Sequence, residues 1–127
     1  VHVQSYEDLD KECLSKRRAC FIGLLNGKSY EEQNYNRNVK MLEELVEKDQ
    51  NKPYSYLYVN ATCHDELLQE FNINVDSLPN AIIYVPTKDV YTSLIGTFDE
   101  ESINSFMSRV INGKVSMQST TKDKILL

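Results

Sequence analysis

Three cysteines, Cys13, Cys20 and Cys63, are the residues of this chain best suited to covalent or redox chemistry, and His2 and His64 are its two histidines. Thiol–disulfide exchange needs a thiolate that attacks a sulfur. Cys13 and Cys20 enclose six residues, so they lack the Cys-x-x-Cys spacing of exchange catalysts. Two readings of the pair stay open: a bridge that ties two elements together, or two separate thiols with Cys20 a small core residue. Cys63 falls near a predicted helix start, where the helix dipole favours a thiolate; a partly buried, inert thiol also fits. Cys63-His64-Asp65 offers three ligand types, but adjacent side chains at a helix start diverge and zinc needs about four convergent donors. No metal site is expected, and His64 reads as a surface residue.

Asn60-Ala-Thr62 is a glycosylation sequon placed just after a predicted strand. Its alternative is a turn residue followed by a helix cap. Glu43, Glu44 and Glu47, with Asp99, Glu100 and Glu101, are acidic enough for weak calcium binding, although helix surface charge and dipole complementarity account for them without an ion. Tyr54, Tyr56 and Tyr58 share one face of a strand by alternation. Part of that stripe is expected to be core, and any exposed part would make a partner surface, since tyrosine is enriched at interfaces.

The bulk properties narrow the function. With 14 Lys and Arg against 19 Asp and Glu, the net charge is −5. A nucleic-acid binder needs a basic face, and the basic run Lys16-Arg17-Arg18 reads as a solvated turn. No apolar run approaches the roughly 18 to 20 residues of a membrane span. The 127 residues suit one domain with a substantial core. The chain begins at Val1 and carries no leader pattern, so a longer or processed parent is expected. Its last residues, Lys122 to Leu127, do not spell a retention signal of the Lys-Asp-Glu-Leu type.

The elements follow from periodicity. A first strand is expected over Val1–Gln4 and a short helix from Tyr6 to about Leu14, with Ser5 as N-cap. Ala19–Leu25 is a continuous apolar run, as in a central parallel strand. Ser29-Tyr-Glu-Glu32 has the capping-box pattern. The following helix, to about Asp49, carries Tyr35, Val39, Leu42 and Val46 on one face, and Pro53 lies beyond its stop. Tyr54–Val59 reads as a strand. Thr62 to Phe71 reads as a short helix capped by Thr62. A proline loop at Pro79 precedes strand Ala81–Val85, and strand Val90–Ile95 closes a hairpin. The last helix starts near Asp99 and stops at Gly113. Residues 1–115 form the expected domain, and 116–127 read as a disordered tail.

Pro79 stands just before a buried strand, where it has no N–H to donate and must occupy a special turn. An X-Pro bond there is a candidate cis bond. Strand–helix–strand units imply parallel pairing, and the short closing hairpin implies an antiparallel edge. The order of elements, with Leu78-Pro79-Asn-Ala-Ile-Ile-Tyr-Val85, Gly96 and Asp99 to Phe106, resembles a thioredoxin: an α/β fold with a mixed sheet and helices on both faces. Cys13 with Cys20-Phe-Ile-Gly-Leu-Leu25, the helix segment Asn38 to Leu45, and Gly96 to Lys114 resemble more closely the inactive C-terminal domain of protein disulfide isomerases built as two catalytic thioredoxin domains followed by one inactive domain.

That resemblance implies the lumen of the endoplasmic reticulum, no cofactor, and a role in protein folding. The partners it implies are unfolded or partly folded clients, a lumenal chaperone of the Hsp70 type, and the adjacent catalytic domains of the same chain. It places the redox loop at Asn26-Gly27-Lys28-Ser29, where no thiol stands, so no catalytic residue is expected there. The candidate binding surface is Leu78, Pro79, Asn26, Gly27 and Lys28. In an oxidising lumen the resemblance also favours a structural Cys13–Cys20 bridge. The rival reading is a small thiol–disulfide enzyme using Cys13 and Cys20, or Cys63.

Overall fold

Cys20–Leu25 is buried at all six positions. A strand achieves that only with a neighbour on each edge and a packed layer on each face. The structure, a computed structural model, describes residues 2–3, 6–13, 15, 18–28, 31–48, 54–113 and 117–119. It sets this segment, β2, inside a six-stranded sheet. The other strands are β1 (His2–Val3), β3 (Ser55–Asn60), β4 (Asn80–Val85), β5 (Val90–Ser93) and β6 (Gln118–Ser119). Their order is β1-β3-β2-β4-β5-β6. β1 and β2 both run parallel to β3, while β4, β5 and β6 are added antiparallel.

Among the described residues, four α-helices cover the two faces: α1 (Tyr6–Glu12), α2 (Glu32–Lys48), α3 (Asp65–Glu70) and α4 (Glu100–Ile111). Leu9 of α1, Leu67 and Leu68 of α3, and Phe71 pack with Ile22, Leu24 and Ile82 on one face. Leu42 and Leu45 of α2, with Ile103, Phe106 and Met107 of α4, pack with Phe21, Leu25 and Ile83 on the other. Alternation along β2 sends odd and even side chains to different layers, which is why the whole segment had to be apolar. This is the thioredoxin-like arrangement of a mixed sheet between two helical layers.

Three local expectations are corrected. The helix expected from Thr62 begins later: Ala61–Cys63 is a 3-10 turn, and α3 starts at Asp65. Asn60 is the reason. Its Oδ1 accepts the Thr62 backbone N–H at 3.3 Å and the Thr62 hydroxyl, so Thr62 is turned back toward the strand and caps nothing. β5 ends at Ser93, short of Ile95. Within the stretch expected to be a disordered tail, Gln118–Ser119 pairs with Val90 and Tyr91, giving the outer edge of β5 a short partner for its ladder groups. The expected caps Ser5 and Ser29, the stop at Pro53, the cations Lys16 and Arg17, and residues 120–127 lie outside the described residues.

Candidate functional site

The loop after β2 is shaped by its own residues. Asn26 Oδ1 accepts the Lys28 N–H at 3.1 Å, an Asx turn that reverses the chain as it leaves the sheet. Asn26 and Gly27 are half-buried and Lys28 is exposed. The ladder delivers the proline loop to this same end. Leu24 pairs with Asn80, so Leu78 and Pro79 lie beside the segment where Leu25 passes into Asn26. The Leu78–Pro79 peptide is cis. Leu78 is half-buried and packs against the α1–α3 core layer, so part of its side chain is already committed to the fold.

Sequence reasoning missed a residue at this end. The Leu94 N–H donates to the Ala81 carbonyl at 2.8 Å, and that bond places Ile95 next to Asn80 and the proline loop. Ile95 is 83% exposed, against 7% for Leu94. The residue types gave no signal: this sheet has a core layer on each face, so two adjacent apolar residues can both be buried, as Ile82 and Ile83 are, and only the end of the strand separates Ile95 from Leu94.

Asn60 completes the end. It terminates β3, and its carboxamide lies over Gly27: a Cβ built on Gly27 would fall 2.0 Å from Asn60 Nδ2. The sequon asparagine is therefore packed against the loop that resembles a redox loop. A small hollow of about 280 Å³ remains between Gly27, Lys28, Glu32, Tyr35 and Asn60.

Cys13 and Cys20 are bridged, and both are fully buried. Cys20 opens β2 while the loop follows its other end, a separation of roughly 16 Å at the usual strand rise. The bridge and the candidate surface are separate features. Cys63 falls in the 3-10 turn, and its side chain is outside the described residues. His64 follows that turn, half-buried, and makes no side-chain cap to α3. Among the described residues no three His, Cys, Asp or Glu side chains converge on a metal position.

Comparison with known proteins now decides the family. A family model described as the PDIA6-like, C-terminal thioredoxin-like domain matches residues 1–115. The chain belongs to that family. A Dictyostelium discoideum chain that carries a protein disulfide-isomerase name is 23% identical over 113 residues, covering 89% of this chain. The match spans only 27% of that relative's length. Among solved structures, the thioredoxin-like domain of Arabidopsis NCP (nuclear control of PEP activity) superposes with a TM-score of 0.68 at 11% identity, covering 100% of this chain and 91% of that one. The first thioredoxin domain of mouse protein disulfide-isomerase A4 gives 0.64 at 16% identity, with coverages of 89% and 76%. The bb fragment of ERp72 gives 0.63 at 12% identity, with coverages of 91% and 49%. At these identities the structural likeness establishes the fold alone.

Proposed function

We propose that this domain is a non-catalytic binding module of a protein disulfide isomerase working in the lumen of the endoplasmic reticulum. Its binding surface is Leu78, Pro79, Asn26, Gly27 and Lys28, extended by Ile95. One observation carries the reading: the loop that would hold a nucleophilic thiol has Asn26, Gly27 and Lys28 instead, with the Asn60 carboxamide against Gly27, while an apolar side chain on the far side of the neighbouring proline loop stands 83% exposed. An exposed isoleucine next to half-buried proline suits an extended apolar segment of an unfolded client, or a neighbouring domain or Hsp70-type chaperone. The Cys-x-x-Cys chemistry of the parent would sit in its other domains, and the modest share of the matched relative supports a longer parent.

The test is binding of a reduced, alkylated client protein followed by amide NMR. Ile95→Ser and Pro79→Ala variants that keep the native spectrum should lose the client-induced shifts. Unchanged binding by both would sink this surface. The isolated domain should also fail to reduce insulin; turnover there would return the rival, a redox enzyme using Cys13 and Cys20 or Cys63.

A further inference from the structure

The tyrosine stripe of β3, Tyr54, Tyr56 and Tyr58, forms a second surface that runs from the start of the strand and stops short of Asn60. α2 seats on β2: a Cβ on Gly23 would fall 2.9 Å from Leu42 Cδ1. Among the described residues, that seating leaves β3 incompletely covered on the α2 side. β1 pairs with β3 only at Tyr58 and Val59, so among the described residues the start of β3 has no strand along its outer edge. The result is an open groove of about 390 Å³. Its walls are aromatic. Tyr54 and Tyr56 meet edge to face at 6.2 Å, and Phe21 and Tyr56 lie tilted at 46° with their centres 6.0 Å apart. Val46 of α2 closes one side.

The groove is also acidic. Glu43 and Glu12 line it, and among the described lining residues Arg18 is the one cation. Arg18 is tethered at the edge, where its Nε donates to Ser55 Oγ at 3.1 Å. Burial, and then the nearby Glu43 carboxylate, raise the Tyr58 phenol above its ordinary range, so the negative charge is felt within the groove. A wholly apolar ligand would strip water from the exposed Glu43 carboxylate and give nothing back. A long cationic side chain fits both features: its methylene stem lies along the rings, its charge faces their π-clouds, and its head reaches a carboxylate.

We propose that this groove docks an arginine-bearing segment of a partner polypeptide. Arginine suits it better than lysine because a planar guanidinium both stacks on tyrosine and pairs with a carboxylate. The groove does not depend on the proline-loop surface, which lies beyond the other end of β3.

The test is an amide NMR titration of the full chain at low salt with two capped peptides, Ac-Ala-Leu-Arg-Arg-Leu-Ala-NH2 and its Glu-Glu counterpart. The arginine peptide should shift Tyr54 to Tyr58 and Val46, bind about tenfold or more tightly than the glutamate peptide, and weaken as salt rises. Glu43→Gln should weaken it about fivefold, and Tyr58→Leu, which keeps the apolar bulk but removes a ring face, should weaken the arginine peptide severalfold. Equal binding of the two peptides, no binding at about millimolar peptide, or full affinity in both variants would overturn the proposal. Shifts confined to Asn26–Lys28 and Ile95 would also overturn it, while leaving the proline-loop surface standing.

Discussion

The carboxamide of Asn60 occupies the space that any side chain at position 27 would need: a Cβ on Gly27 would lie 2.0 Å from Nδ2 and 2.2 Å from both Cγ and Oδ1. Gly27→Ala must therefore push β3 and the loop apart, or expel the amide. We expect a cost of about 1–3 kcal/mol, the usual range for overpacking. Asn60→Gly removes the obstruction at its own cost in lost hydrogen bonds to Thr62. Urea midpoints of the two single variants and the double variant measure the coupling. The double variant should be less destabilised than the sum of the singles. Additivity within about 0.5 kcal/mol would mean that the contact is not what excludes a side chain.

The Cys13–Cys20 bridge should behave as a staple. It closes a short loop between the end of α1 and the start of β2 and is fully buried at both ends. Replacing both cysteines by alanine should cost about 2 kcal/mol by the loop-entropy account. Burial also denies an attacking thiolate access to either sulfur. Alkylation and mass mapping across a glutathione series should give a potential below about −300 mV, the range of structural bridges. A value near −180 to −230 mV would put the pair among exchange catalysts and favour the enzyme reading.

Much of this architecture was legible in the residues. The unbroken apolar run Cys20–Leu25 announced a strand buried on both faces, and Pro79 announced a special turn before β4. Neither depends on distant context, because period and backbone restriction act locally. The Asn60–Gly27 contact was not legible. It joins residues far apart in sequence, and the cue it leaves, an Asn-x-Thr triplet, reads equally as a sequon or a turn. Thr62 misled for the same reason: a threonine before a short helix is a good cap unless a better acceptor turns its hydroxyl away. The strand at Gln118–Ser119 answers an exposed edge of β5, a need that exists only once the sheet is built.

Asp99 should be the cap on which α4 depends. Its Oδ1 accepts the Ser102 N–H at 2.7 Å, and its Oδ2 accepts the Thr97 hydroxyl. The Thr97 bond first, then the Ser102 N–H, hold its carboxyl below the ordinary value of 3.8. A depressed carboxyl contributes stability above its unfolded pKa and loses it as pH falls through the folded one. Asp99→Ala should lower the thermal midpoint at neutral pH, and Asp99→Asn, itself a good cap, should lower it less. The gap between wild type and Asp99→Ala should narrow as the pH falls below the ordinary carboxylate range and through the lowered folded-state value. Equal losses in both variants would make the charge, rather than the cap, the operative feature.

Tyr54 should set an alkaline limit on the fold. Its ring is buried between β3 and α4, and its hydroxyl donates to the Met107 carbonyl at 3.2 Å. Burial, and then neighbouring Tyr56, push its pKa up from 10.0 to about 12. Between those values the unfolded chain has released the proton and the native state still holds it. Stability is therefore complete below about 10, falls as pH rises toward about 12, and levels off beyond. The loss from this residue is on the order of 2 kcal/mol. Tyr58 and Tyr91 are shifted in the same direction by burial and nearby carboxylates, so they steepen the same limb. Tyr54→Phe keeps the ring but has no proton to lose. Urea unfolding at about pH 8 and about pH 11 should show a smaller alkaline loss in Tyr54→Phe than in wild type. An identical loss in both would place the alkaline weakness elsewhere and show that the Tyr54 hydroxyl ionises freely in the native state.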